Sequence, residues 1–140
     1  MKIYNKGGIN IKNISPAIVN ILVFDEITRL QGRDLLFNPF YKAPLAKLSF
    51  VTYTMVANVP NGICNFKYRL TNPYNELMHE TAINAVEVKD NTFFNVLIWN
   101  NLHFNMPGEH SITFYLAADN GFEPAGSTVI LIDTPNNTNA

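Results

Sequence analysis

The sequence predicts an all-β fold, a single two-sheet antiparallel sandwich of about seven strands. Three observations predict it. Runs rich in β-branched and aromatic residues recur along the chain, most of them closed by Gly, Pro, Asn or Asp. One run, 64–70, alternates strictly between apolar and polar side chains. No segment carries a convincing helical repeat of apolar residues. With 140 residues, 47% of them hydrophobic, the chain can bury a core without a disulfide or a metal.

The elements follow in order. Residues 1–16 are polar and Gly-containing and end at Ser15-Pro16, so they read as a flexible arm or an edge strand. The sandwich domain spans 17–133. Its first strand is 17–28, AIVNILVFDEIT, apolar on both faces until Asp25. Residues 29–46 are the least regular stretch. Pro39 and Pro44 forbid a continuous strand or a long helix there, while Asp34-Leu35-Leu36-Phe37 has the makings of one helical turn. Residues 47–58 form a second long strand, and Val59-Pro60-Asn61-Gly62 reads as a hairpin connection. In the third strand Cys64, Phe66, Tyr68 and Leu70 share one face, and Asn65, Lys67 and Arg69 the other. Thr71-Asn72-Pro73-Tyr74-Asn75 turns the chain into a short strand within 76–83, followed by a polar link through Lys89-Asp90-Asn91.

Residues 92–100, TFFNVLIWN, are apolar on both faces, with Phe93, Leu97 and Trp99 on one and Phe94, Val96 and Ile98 on the other. An antiparallel sandwich normally keeps one face polar, so an apolar outer face implies cover by a second subunit or by the 29–46 stretch. Strands at 110–118 and 128–133, joined across Asp119-Asn120-Gly121, complete the set. Residues 134–140 read as a disordered tail.

Composition excludes several functions. A formal charge of −1 with scattered basic residues gives no footprint for nucleic acid. No run approaches the length of a membrane span. Cys64 is the only cysteine, and the first eight residues lack a signal-peptide core, so a cytoplasmic protein is expected. Asparagine is the commonest residue, a bias that fits an AT-rich coding sequence from a low-GC bacterium or its phage.

Two segments carry a resemblance. Phe104-Asn105-Met106-Pro107-Gly108-Glu109-His110, with Ile112, Phe114, Leu116 and then Asp119-Asn120-Gly121, looks like the closing hairpin of immunoglobulin-like domains. His110 stands where those domains place the corner tyrosine. Tyr68-Arg69-Leu70-Thr71-Asn72-Pro73-Tyr74-Asn75-Glu76 resembles their central hairpin. Together they resemble an uncharacterised family of small immunoglobulin-like β-sandwich proteins found in bacteria and phages, over roughly 20–133. The resemblance implies a fold and brings no catalytic residues.

Chemistry is sparse. His79, His103 and His110 include no pair two apart on one strand that would share a metal. Cys64 lies on the core face of its strand, where a thiol is a small hydrophobe with a raised pKa. Asp25, Glu26 and Asp119 have no partner acid, and no phosphate loop or nucleophile elbow is present. Neither an enzyme nor a bound cofactor or metal is expected. The 29–46 stretch combines Arg29 and Arg33 with Phe37, Phe40 and Tyr41, which either pack down or form a partner-binding surface. The expected function is a non-enzymatic protein-binding module and homo-oligomer, in one version a phage or prophage protein that blocks a host defence system. The alternatives are a small-ligand sponge, with Arg29, Arg33 and Tyr41 on a nucleotide-like phosphate or base, and a structural component of a virion or secretion assembly.

Overall fold

The computed structural model describes residues 16–39 and 41–134. Among them lie ten strands and no helix: β1 Ile18–Leu30, β2 Arg33–Pro39, β3 Lys42–Ala43, β4 Lys47–Ala57, β5 Gly62–Thr71, β6 Leu77–Glu80, β7 Asn84–Val88, β8 Thr92–His103, β9 Gly108–Ala118 and β10 Gly121–Ile132. A four-stranded sheet runs β2-β1-β4-β8. A six-stranded sheet runs β3-β10-β9-β5-β6, with β7 also on β5. Every ladder is antiparallel except the short one of β3 along β10. The all-β sandwich expected from the sequence is the fold.

Several expectations are corrected. Residues 33–39 are strand, with no helical turn at Asp34–Phe37. Leu30 pairs with Arg33 across Gln31 and Gly32, whose φ angles of 52° and 76° make the mirror-image turn that suits a two-residue hairpin. Pro39 is tolerated because it is the last residue of β2, which is an edge strand. Val59-Pro60-Asn61-Gly62 is not a hairpin: β4 belongs to one sheet and β5 to the other, so the chain crosses the sandwich there. The polar link before residue 92 contains β7, which pairs residue by residue with β5 from Gly62↔Val88 to Phe66↔Asn84. The last strand starts at Gly121 rather than 128, with a bulge at Phe114/Tyr115 absorbing the extra length.

Asparagine serves the backbone here. Asn38, Asn58, Asn75, Asn91 and Asn101 all sit at positive φ, a region asparagine enters at lower cost than most side chains. Asn91 ties the β4–β5 crossing between the sheets to the β7–β8 crossing. Asn91 Nδ2 donates to the Val59 carbonyl at 2.8 Å, and the Asn91 N–H donates to Asn61 Oδ1 at 2.8 Å. Val59, held this way, is 5% exposed and closes one end of the core.

Between the sheets the core is dominated by aromatic rings. Phe66 and Phe114 lie 5.4 Å apart, Phe50 stacks on Trp99 at 5.6 Å, and Tyr68 meets Trp99 edge-on at 5.8 Å. Two fully buried threonines of β4 give the polar atoms of those rings their partners. Trp99 Nε1 donates to Thr52 Oγ1 at 2.9 Å, and Tyr68 Oη donates to Thr54 Oγ1 at 2.8 Å. Asn95 Nδ2 in turn donates to Tyr68 Oη at 3.0 Å, so the network bridges the sheets. Buried polar groups satisfied in this way fix one arrangement of the sheets. At the other end of the contact β10 approaches β1 closely: a Cβ on Gly126 would stand 2.7 Å from Val19 Cβ.

Candidate functional site, the outer face of the four-stranded sheet

Strand parity sorts the two outer faces into different chemistries. On the six-stranded sheet, Lys67, Arg69, Tyr115 and Phe122 face outward and are knit by charge. Lys67 Nζ lies 2.6 Å and Arg69 Nε 3.4 Å from Glu80 Oε2, while Lys67 sits 4.7 Å over the Phe122 ring. The Lys67 hydrogen bond, against a smaller opposing effect of burial, holds the Glu80 carboxyl below its ordinary range. This is the wet face an antiparallel sheet is expected to keep.

The four-stranded sheet is different. Cross-strand registers place Asn20, Met55 and Phe94 in one row, Leu22, Tyr53 and Val96 in the next, and Phe24, Val51 and Ile98 in a third. Directly opposed residues share a face, and these rows alternate with the buried set Val19–Val56–Phe93, Ile21–Thr54–Asn95 and Val23–Thr52–Leu97. Eight of these nine residues are therefore apolar or aromatic, although Val51 is covered, at 3% exposed, and Phe24, Tyr53 and Val96 are half-buried. Leu22 is 49% exposed, Met55 50%, Phe94 62% and Ile98 54%, with Ile18 at 59% beside them. No Asp, Glu, Lys or Arg occurs in 17–24, 48–60 or 91–102, the stretches that supply this face. These five side chains alone leave on the order of 500 Å² of apolar surface, at the upper end of what monomers carry as their largest patch. A shallow groove of 270 Å³ runs across it, lined by Ile18, Asn20, Tyr53, Met55 and Phe94 among others and by no charged side chain.

Sequence reasoning foresaw an apolar outer face on β8 without knowing which parity turned in. The structure turns in Phe93, Leu97 and Trp99, where Thr52 satisfies the indole N–H, and leaves Phe94, Val96 and Ile98 outside. It missed that β1 and β4 extend the same face. The signal was present in the uncharged stretches 17–24 and 48–60, but only the registers align them.

The residues singled out in 29–46 are spread along the hairpin. Arg29 pairs with Asp34 in the β1–β2 ladder and Phe37 with Glu26. The side chains of Arg29 and Phe37, and all of Phe40, lie outside the described residues. Arg33 is exposed at the tip of the hairpin. Tyr41 is 72% exposed beyond the far end of β2, its carbonyl accepting the Leu131 N–H at 2.7 Å. The length of β2, roughly 20 Å at about 3.3 Å per residue, separates Arg33 from Tyr41.

Other chemistry-bearing groups are placed as follows. Cys64 lies on the inner side of β5, partly covered, and burial pushes its thiol pKa up. His79 and His103 are exposed. His110 is fully buried, its Nδ1–H donating to the Gly108 carbonyl at 3.1 Å, with Phe104 edge-on at 5.0 Å. Burial lowers its pKa against the smaller opposing effect of that hydrogen bond. Among the described residues no three His, Cys, Asp or Glu side chains are grouped to hold a metal ion, and no helix is long and apolar enough to cross a membrane. A depression of 530 Å³ at one end of the sandwich, between Pro60, Leu116 and Glu123, is formed largely by turn and strand-end residues. No protein-family model matches the chain, and a search of curated proteins finds no match.

Proposed function

We propose that the chain is a non-enzymatic protein-binding module whose working surface is the outer face of the four-stranded sheet. One observation carries the reading: a largely apolar face, free of charge over three strands, opposite a sheet whose outer face is laced with ion pairs. A face without cations has nothing to offer a phosphate backbone or an anionic headgroup. Its chemistry fits a protein surface that is itself apolar and uncharged, contributing aromatic and aliphatic side chains to the groove between Tyr53, Met55 and Phe94.

The test compares the wild-type chain with Met55→Lys and with Lys67→Glu in capture from a bacterial lysate. Met55 is half exposed at the centre of the face, so a lysine there leaves the core intact and places a charge in the contact. A protein retained by the wild type and by Lys67→Glu, and lost with Met55→Lys at unchanged melting temperature, is the expected result. Equal retention by all three chains, or loss only with Lys67→Glu, overturns the reading.

A further inference from the structure

The edges of the two sheets are protected unequally. An exposed strand edge offers a row of unpaired N–H and C=O groups, and proteins blunt it by shortness, charge, proline or cover. Among the described edges, β3 has two residues, β6 has four and ends in Glu80, and β7 has five and includes Glu87. The outer edge of the four-stranded sheet at β2 opens with Arg33-Asp34 and closes with Pro39. All four carry protection. The opposite edge, β8, has only a bulge at residues 100 and 101 near its C-terminal end, where Asn101 takes a φ of 52°, and no protection along 92–99.

β8 runs for twelve residues, TFFNVLIWNNLH, with no proline and no Asp, Glu, Lys or Arg. It pairs with β4 along one side, and among the described residues no strand pairs with its other side. Its composition is that of a strongly β-forming, low-charge segment, the kind that recruits another strand when left open.

We infer that a second copy of this chain pairs along β8, antiparallel across a two-fold axis, to make one continuous eight-stranded sheet. Two-fold symmetry requires the antiparallel sense, because each strand must meet its own image. An axis through Val96 sets Phe94 of each copy opposite Ile98 of the other on the outer face. The same axis sets Phe93 opposite Trp99 on the inner face and Thr92 opposite Asn100. Of the four pairs this register makes, three match apolar with apolar or polar with polar, and only Asn95 with Leu97 does not. A shift of the axis by one residue to Leu97 would set Phe93 and Phe94 against Asn101 and Asn100. The pairing joins the two apolar outer faces edge to edge into one surface of twice the width. The inference stands apart from the partner-binding reading: it concerns the edge of the sheet, and Met55 lies one strand away from it.

Sedimentation of the full chain, combined with residue-resolved amide hydrogen exchange across a dilution series, tests it. The expected result is a species of twice 15.8 kDa at tens of micromolar. Alternate amides between 93 and 99 should then exchange at least tenfold more slowly in the dimer than after dilution. Val96→Lys, which brings two ammonium groups together at the axis, should abolish the dimer, whereas Met55→Lys should keep it. Melting curves check that both variants fold, and the exchange pattern of the wild type decides the matter if Val96→Lys does not. A monomer throughout overturns the inference. So does a dimer whose β8 amides exchange freely, or protection of those amides that is independent of concentration, which would mean that the chain covers its own edge.

Discussion

Thr54 is a fully buried hydroxyl on the inner face of β4, and removing it alone should cost more than its size implies. In Thr54→Val the shape and the strand preference are kept, but Tyr68 Oη loses its acceptor at 2.8 Å and has no water to turn to. An orphaned buried donor costs about 1–3 kcal/mol. Burial holds the Tyr68 pKa above its ordinary value, so the phenol stays protonated and cannot escape by ionising. For a domain of this size about 1 kcal/mol corresponds to roughly 3–5 °C. Thr54→Val should therefore melt roughly 3–15 °C below the wild type. Tyr68→Phe strands the Asn95 amide instead, at a cost of about 1–2 kcal/mol. The double variant has no orphaned phenol, so its loss should fall short of the sum by about 1 kcal/mol. Urea unfolding of the four chains measures this cycle. A Thr54→Val loss below about 0.5 kcal/mol, or strict additivity, would refute the claim that the network holds the sheets in register.

Two further outcomes follow from packing and titration. Gly126→Ala should lose about 1–3 kcal/mol in the same unfolding assay, because the added Cβ meets Val19 Cβ and Cγ1 where β10 crosses β1, and a β-branched side chain has no flexible end to yield. His110 has its pKa lowered in the folded chain, so the unfolded chain binds the proton first. Stability should be flat above about pH 7 and fall as the pH drops through the unfolded value toward the folded one, with a slope of at most about 1.4 kcal/mol per pH unit. Chemical denaturation between about pH 7.5 and 5 should show this slope in the wild type and a flatter profile in His110→Phe; equal slopes in the two chains would contradict the assignment.

Local pattern carried the reading of the fold as far as local pattern reaches. The alternation in 64–70 placed Phe66, Tyr68 and Leu70 inward, as found, and Cys64 with them. The turn at 71–75 was legible from Asn72 and Pro73, and Asn72 Oδ1 does accept the N–H groups of Tyr74 and Glu76. β2 escaped notice because Gln31 takes a left-handed conformation that Asn or Asp would have announced. At Val59–Gly62 the Asn-Gly signal reported a reversal of direction but could not say which sheet received the next strand. The candidate face was half legible. Two apolar faces on 92–100 were plain, but choosing between them needed the Trp99 indole N–H donating to Thr52, a contact between residues 47 apart in sequence.

The most direct test of the proposed working surface places a photo-crosslinking residue at one position on each outer face, Met55 on the four-stranded sheet and Phe122 on the six-stranded sheet. Irradiation in bacterial cells producing each variant should yield a discrete protein adduct from position 55 and none from position 122. Adducts from 122 alone would contradict the account, and would move the binding surface to the charged face of the molecule.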